Sequence, residues 1–338
     1  MGIAVFVDSF DHYDTTWLRS GNCKWDIFTN PTNLSIDSSG VARTGAQCLK
    51  CASGSGGSWA GMYFPSQAIN NLNALSVGFG FRPGTVDNHN FCRLTNSVTS
   101  PMSDATMNVG LSSGKVCVWS GNGTLLVSGV TRLIPGNWYY VEVAVYIHYM
   151  GGNATTLYLD GANEATSTAP NDMSGSFVDG VSLGSSIGNS SAPHYFDDLV
   201  VCDLSSSTSV VGPAIVANLL PKGAGTGSWT QVGSGVGEIV PDSDAGYIKS
   251  TAVNQQQNFS CYPLPRLSNF SLAASSVSAL QVNTVSRLLG PPGTDQLMAR
   301  LNSSTRIVYP LDTYTCSTSL FDTLAPSSVD TMTIGVST

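Results

Sequence analysis

Charge is what this sequence has least of. Asp, Glu, Lys and Arg make up 11% of its 338 residues, against about 25% in an average soluble domain. Long charged helices are therefore not expected. Glutamate stands at three positions, Glu142, Glu164 and Glu238, so helix-rich folds and chemistry that needs a pair of glutamates are both disfavoured. Lysine and arginine nowhere cluster and the formal net charge is -8, so no nucleic-acid partner is expected. Long apolar runs are missing as well. The longest are strand-sized, as in Val141 to Val145, far below the ~18 to 20 residues that cross a bilayer, so no membrane insertion is expected. The opening Met1 to Asp8 lacks a basic stretch, and no signal peptide is expected from it.

The chain is 42% hydrophobic, enough to bury real cores, so disorder is not the reading. Its eight cysteines are spread over a chain too large to need stapling, and they read as free buried thiols or, alternatively, as disulfides formed in an oxidising medium. The Cys48–Cys51 pair has no second CxxC to complete a zinc set. His12, His89, His148 and His194 are scattered and none pairs with another at metal spacing, which points to surface or structural roles.

Alternation with period two dominates from end to end, the pattern of half-buried strands. In Trp138 to His148 the core face is Tyr139, Val141, Val143, Val145 and Ile147. Similar runs are Leu75 to Phe81, Asn108 to Leu111, Lys115 to Trp119, Thr156 to Leu159 and Phe196 to Cys202, with turn signals such as Gly121-Asn122-Gly123, Pro135-Gly136-Asn137 and Asp160-Gly161 between them. No helical crossovers are available for parallel pairing, so the fold class is all-β and antiparallel. Ser205 to Ser209 is polar and of the kind that separates domains. Residues 1-205 form the first sandwich, 206-212 a Ser/Thr-rich linker and 213-338 a smaller jelly-roll-like sandwich, with strands expected around Ala214 to Leu220, Tyr247 to Ser250, Asn258 to Tyr262, Ser278 to Val285, Leu297 to Leu301, Arg306 to Tyr309 and Met332 to Val336. The first part holds 15 acidic and 8 basic residues, the rest 7 and 6.

Short pieces in order carry a family likeness: Asp8 to Tyr13, Lys24-Trp25, Gly45 to Leu49, Val77 to Arg82, Gly136 to Val143, Leu157 to Gly161 and Phe196 to Asp203. Over residues 1-205 the chain resembles the concanavalin A-like (laminin G-like) lectin/glucanase sandwich, in the variety found in tailed-bacteriophage virion proteins. The stretch Val216 to Pro221 with Trp229 is similar to the segment that often succeeds that domain in such proteins. The resemblance implies a virion exterior protein made in the host cytoplasm, with copies of itself as partners, in a trimer, alongside other virion proteins and a host surface glycan. Fold by itself does not assign function.

The glucanase branch of this family places its carboxylates along one strand, because retaining hydrolysis needs them about 5 Å apart. No such run exists here, so no catalytic residue is expected. Asp197 and Asp198 are adjacent, and on a regular strand adjacent side chains point to opposite faces. They read as a solvent-facing strand start or, alternatively, as ligands of a structural calcium with Asp8, Asp11 and Asp160 nearby. Gly180 to Gly184 spells Gly-x-Ser-x-Gly, but in β-rich sequence without a following helix it is a coincidence. Trp59 and Trp119 lie beside polar loops and could stack on a sugar ring with Asn122 as hydrogen-bonding partner; aromatics in alternating runs are otherwise core. The expected function is a non-enzymatic capsid decoration, head fibre or tail-fibre protein, the alternative being a carbohydrate-binding adhesin, with no cofactor beyond a possible calcium.

Overall fold

A computed structural model describes residues 3–19, 25, 27–52, 57–64, 74–95, 105–146, 154–168, 178–186, 192–205, 209–217, 226–232, 247–249, 256–260, 277–286, 297–301, 304–308, 315–324 and 333–337. The chain divides into two compact units, Met1–Gly21 with Trp25–Val216 and Asn22–Lys24 with Ala217–Thr338.

Fifteen strands build the described part of the first unit: β1 (Ile3–Asp8), β2 (Ile27–Thr29), β3 (Leu34–Asp37), β4 (Cys48–Cys51), β5 (Ser58–Tyr63), β6 (Ala74–Arg82), β7 (His89–Thr95), β8 (Ala105–Ser112), β9 (Lys115–Ser120), β10 (Leu125–Arg132), β11 (Tyr139–Tyr146), β12 (Ala154–Leu159), β13 (Ala162–Ser167), β14 (Gly180–Ser185) and β15 (His194–Asp203). One short helix, Thr15–Arg19, joins them. An eight-stranded sheet runs β13-β12-β11-β6-β15-β4-β3 with β1 paired to β15, and a seven-stranded sheet runs β10-β9-β8-β7-β14-β5-β2. All the pairings are antiparallel, as in β11 with β6 and β14 with β5. The two antiparallel sheets form the all-β sandwich expected of the first part.

The core lies between the sheets. Phe81 of β6 stacks on Phe91 of β7 with ring centroids 4.0 Å apart, and Phe79 and Phe196 close around them. On β11 the expected core residues Val141, Val143 and Val145 are buried, yet so are Tyr140, Glu142 and Ala144 on the opposite face. Ile147 and His148 lie outside the described residues. That strand is covered on both sides, which alternation alone does not reveal. The second cover comes from Leu204, from residues 209–216 and from Arg43, whose guanidinium lies 5.1 Å from the centroid of the Tyr140 ring. Leu204 packs with Ala74 and Ala144, and Val210 joins them.

Of the expected linker 206-212, residues 206–208 lie outside the described residues. Val211 and Gly212 donate their backbone N–H groups to the Glu142 carboxylate at 3.1 and 2.9 Å, and Val216 N donates to Asp198 at 2.8 Å. Residues 214–217, expected as the start of a strand, are instead an irregular strap held by these side chains. Its amides are satisfied by carboxylates rather than by a neighbouring strand.

Among the described residues the second unit is also all β. Its five-stranded antiparallel sheet runs Thr226–Gly227, Gln256–Ser260, Thr333–Ser337, Leu297–Leu301 and Ser304–Val308. Two antiparallel ribbons pair Thr230–Val232 with Tyr247–Lys249 and Val277–Ser286 with Thr315–Leu324.

The five described cysteines of the sandwich, Cys48, Cys51, Cys92, Cys117 and Cys202, are free and buried. Burial pushes the thiols of Cys48, Cys51, Cys92 and Cys202 up in pKa, so they act as small apolar fillers rather than nucleophiles.

Candidate functional site

Register places a line of side chains on the outer face of the seven-stranded sheet. Gly61 of β5 pairs with Ser182 of β14, Ser182 with Arg93 of β7, Arg93 with Asn108 of β8, and Asn108 with Trp119 of β9. Paired residues share a face, and the residues beside them, Ala60, Leu183, Cys92, Leu94, Val109 and Val118, are buried. Leu125 of the edge strand β10 extends the line opposite Trp119, and its side chain is 53% exposed.

Trp59 lies on the same face, paired with Gly184. Strand β14 turns Gly180, Ser182 and Gly184 to this side, and all three are buried. The Arg93 guanidinium lies 4.0 Å from the centroid of the Trp59 ring. A cation over an indole face is attracted by the ring quadrupole, so the pair fixes both side chains. Trp59 is only 3% exposed, while Arg93, Asn108 and Trp119 remain partly exposed. Burial lowers the Arg93 pKa, but a guanidinium stays charged regardless.

The structure thus brings Trp59 and Trp119 to one face, about 19 Å apart at the usual strand spacing, and gives them different environments. Trp59 is a buried support beneath Arg93. Trp119 offers part of its ring outward. Asn122 sits in the β9–β10 turn, where its side-chain oxygen accepts from Thr124 N at 3.0 Å and from the Ser120 hydroxyl. That shapes the hairpin next to Trp119. Arg93 and Asn108 were not singled out in the sequence, because only strand register shows them between the two tryptophans. Gly180 to Gly184 is plain strand with no elbow, and Ser182 is fully buried.

Asp197 and Asp198 lie on the other sheet and neither faces solvent, contrary to the strand-start reading; both are 0% exposed. Nor do they point to opposite faces in the regular way. Asp198 has φ 50° and the pairing with β6 is bulged between Asp197 and Val200. A bulge breaks alternation, and both carboxylates meet the same segment. Asp197 accepts from Arg43 N at 2.9 Å and Thr44 N at 3.1 Å, while Asp198 accepts from the Arg43 guanidinium at 2.5 Å and the Thr44 hydroxyl at 2.7 Å. Burial drives both carboxyls up in pKa; the Asp198 charge adds to this at Asp197, and Arg43 opposes it at Asp198. Asp8, Asp11 and Asp160 do not join them. Asp8 accepts from Tyr13, Trp25 and Phe10, Asp11 from the amides of Ala46 and Gln47, and Asp160 from Tyr140 N. Among the described residues no three His, Cys, Asp or Glu side chains converge as a metal set.

A second feature that the sequence hid is a histidine pair. The rings of His89 and His194 stack with centroids 4.4 Å apart. His89 Nδ1 donates to the Asp87 carbonyl at 2.7 Å, and Gly84 N donates to His194 Nδ1 at 3.2 Å. The first ring therefore carries its proton on Nδ1 and the second on Nε2. Both Nε2 atoms are buried without a hydrogen-bond partner among the described residues. Protonated Nε2 on His194 rules out simultaneous metal ligation through both rings in this arrangement.

No family of known proteins and no curated relative matches the chain by sequence. Among solved structures it is similar to the cellulose-induced protein Cip1, at 17% identity over 62% of this chain and 100% of that one, with a TM-score of 0.44. It is similar also to an endo-β-1,4-glucuronan lyase from the fungus Trichoderma reesei, at 12% identity over 63% and 100% of the two chains, TM-score 0.43. Domain 4 of AbnA, an extracellular arabinanase from Geobacillus stearothermophilus solved with arabinotriose, matches at 16% identity over 60% and 93%, TM-score 0.39.

Proposed function

We propose that this chain is a non-enzymatic glycan-binding protein whose ligand lies across the outer face of the seven-stranded sheet. The observation that carries this reading is the line Arg93, Asn108 and Trp119, one partly exposed residue from each of three adjacent strands. A partly exposed indole gives an apolar plane for a sugar ring, and the amide and guanidinium beside it supply donors and an acceptor for hydroxyls. Rigid strands rather than loops hold all three, so little ordering is paid on binding.

The non-enzymatic reading is supported by the chemistry of that face. Its strands offer no carboxylate, so a pair about 5 Å apart for glycoside hydrolysis has nothing there to be built from. Host adhesion on the exterior of a tailed-phage particle is the finer reading. It rests on the sequence resemblance of residues 1-205 alone.

The test is a glycan array with the full chain and its Trp119→Ala variant. Retention of a glycan by the native chain and its loss in the variant is the expected result. A native chain that retains no glycan would overturn the reading.

A further inference from the structure

The strap 209–216 is held by polar contacts more than by burial. None of its residues is itself buried, while Glu142 and Asp198 beneath it are 2% and 0% exposed. Among the described residues it pairs with no strand. What seats it is a short set of contacts: Val211 N and Gly212 N on the Glu142 carboxylate, Val216 N on Asp198, and the Ala214 carbonyl accepting from the Arg43 guanidinium at 2.8 Å. Val210 packs against Ala74, Ala144 and Leu204. Pro213 rests on Gly161 of the β12–β13 turn, where a Cβ would stand 2.9 Å from its Cδ. A segment with so few apolar contacts can open while the rest of the fold stays closed. The charges under it do not balance. Facing Glu142 are Tyr140 of its own strand, Ser76 of β6, Tyr158 of β12 and Cys202 of β15, none of them a cation. Asp198 faces Arg43, Thr44, Asp197, Asp11 and Tyr140, and Arg43 is bound to it.

We propose that protons close this cover: the strap docks most firmly in acid and loosens as the pH rises toward neutral, with Glu142 as the group that senses it. The docked strap keeps the Glu142 carboxyl out of water, and release returns it there. Burial pushes this carboxyl above its ordinary pKa, outweighing the Gly212 and Val211 amides and Ser76, which lower it. The docked state therefore keeps its proton to higher pH than the released state. That contribution to docking is complete below the released value, about 4.3, and is lost as the pH rises through the docked one. Asp198 acts in the same sense, opposed by Arg43. The strap ends where the second unit begins, at Ala217. Release thus lengthens the chain leading into that unit by 209–216, about 27 Å when extended.

The experiment is hydrogen exchange of the full chain, resolved at the Val211, Gly212 and Val216 amides between about pH 5 and pH 8 and corrected for the intrinsic exchange rate. Val143 of β11 serves as the reference for the sheet itself. Protection at the three strap amides should fall relative to Val143 as the pH rises, by up to about tenfold per pH unit while Glu142 loses its proton. Glu142→Gln keeps an acceptor for the amides and removes the titration, so most of that fall should disappear. Strap protection that is constant or rises with pH in the native chain would overturn the proposal. So would a Glu142→Gln chain that keeps the native pH dependence. Should that variant fail to fold, the comparison with Val143 in the native chain decides alone.

Discussion

His89 and His194 stack face to face in the interior, and both are held in the neutral form. Burial pushes the His194 pKa down to about 3, with the neighbouring His89 adding to it, and burial lowers His89 as well. Both begin from about 6.5 when unfolded.

The folded state therefore binds fewer protons than the unfolded chain at mildly acid pH. The stability contributed by the neutral rings is complete above pH 6.5 and is lost as the pH falls from there toward the folded values. Buried carboxyls with raised pKa values act in the opposite sense, so a difference measurement is needed. Denaturant unfolding at pH 7 and pH 5 should show the native chain losing about 1.9 kcal/mol more than His194→Gln, a slope difference of about 1 kcal/mol per pH unit. Equal slopes would show that His194 is not held neutral.

Arg43 and Asp198 form the clasp under the strap. Asp198→Asn keeps a residue that tolerates the left-handed backbone at φ 50° and removes only the charge opposite the guanidinium. An unpaired buried cation costs about 3 to 5 kcal/mol, so the melting temperature should fall by several degrees or more. Because Arg43 already supplies the positive charge at Asp198, chelation with EDTA should leave the melt of the native chain unchanged. A drop on chelation would point to calcium.

These two sites show where the sequence was legible. Alternation located β6, β9, β11 and β15 and assigned Val141, Val143 and Val145 to the core, because hydrophobic period directly reports a buried face. It failed at Asp198, where one residue with positive φ turns two adjacent carboxylates onto one segment. It also failed at Glu142, whose cover is an irregular strap with no periodic signal, and at Tyr140, which lies under Arg43. The histidine pair comes from β7 and β15, which belong to opposite sheets, and only the packing of one sheet on the other brings the rings together. Trp59 and Trp119 were picked out by residue type, while their different exposure depends on Arg93, which register alone places.

Glu164 of β13 latches the edge strand β10 of the opposite sheet. Its carboxylate accepts from Val130 N at 2.7 Å, Thr131 N at 2.8 Å and the Thr131 hydroxyl at 2.7 Å. Burial would raise its pKa, but these donors and the Lys115 charge hold it below the usual value. Edge amides left open invite another strand, and Val130 and Ile134 nearby are 68% and 59% exposed. Glu164→Ala should speed hydrogen exchange at Val130 and Thr131 and raise self-association in light scattering. Unchanged exchange at both amides would refute the latch.

The two tryptophans separate support from contact. Trp59 is buried under Arg93, so Trp59→Ala opens a cavity and frees the guanidinium, at a cost of about 3 to 5 kcal/mol. Trp119 is partly exposed on β9, and Trp119→Ala leaves the strand pairing in place, so its melting temperature should fall much less. Binding should respond in the reverse order of directness. Trp119→Ala removes the plane a sugar stacks on and should weaken a bound glycan about tenfold at near-native stability. Trp59→Ala should weaken it only through the loosened Arg93. Paired thermal melts and titrations of the two variants check this. A Trp119→Ala variant that binds as tightly as the native chain would remove the sheet face from consideration, whatever its stability.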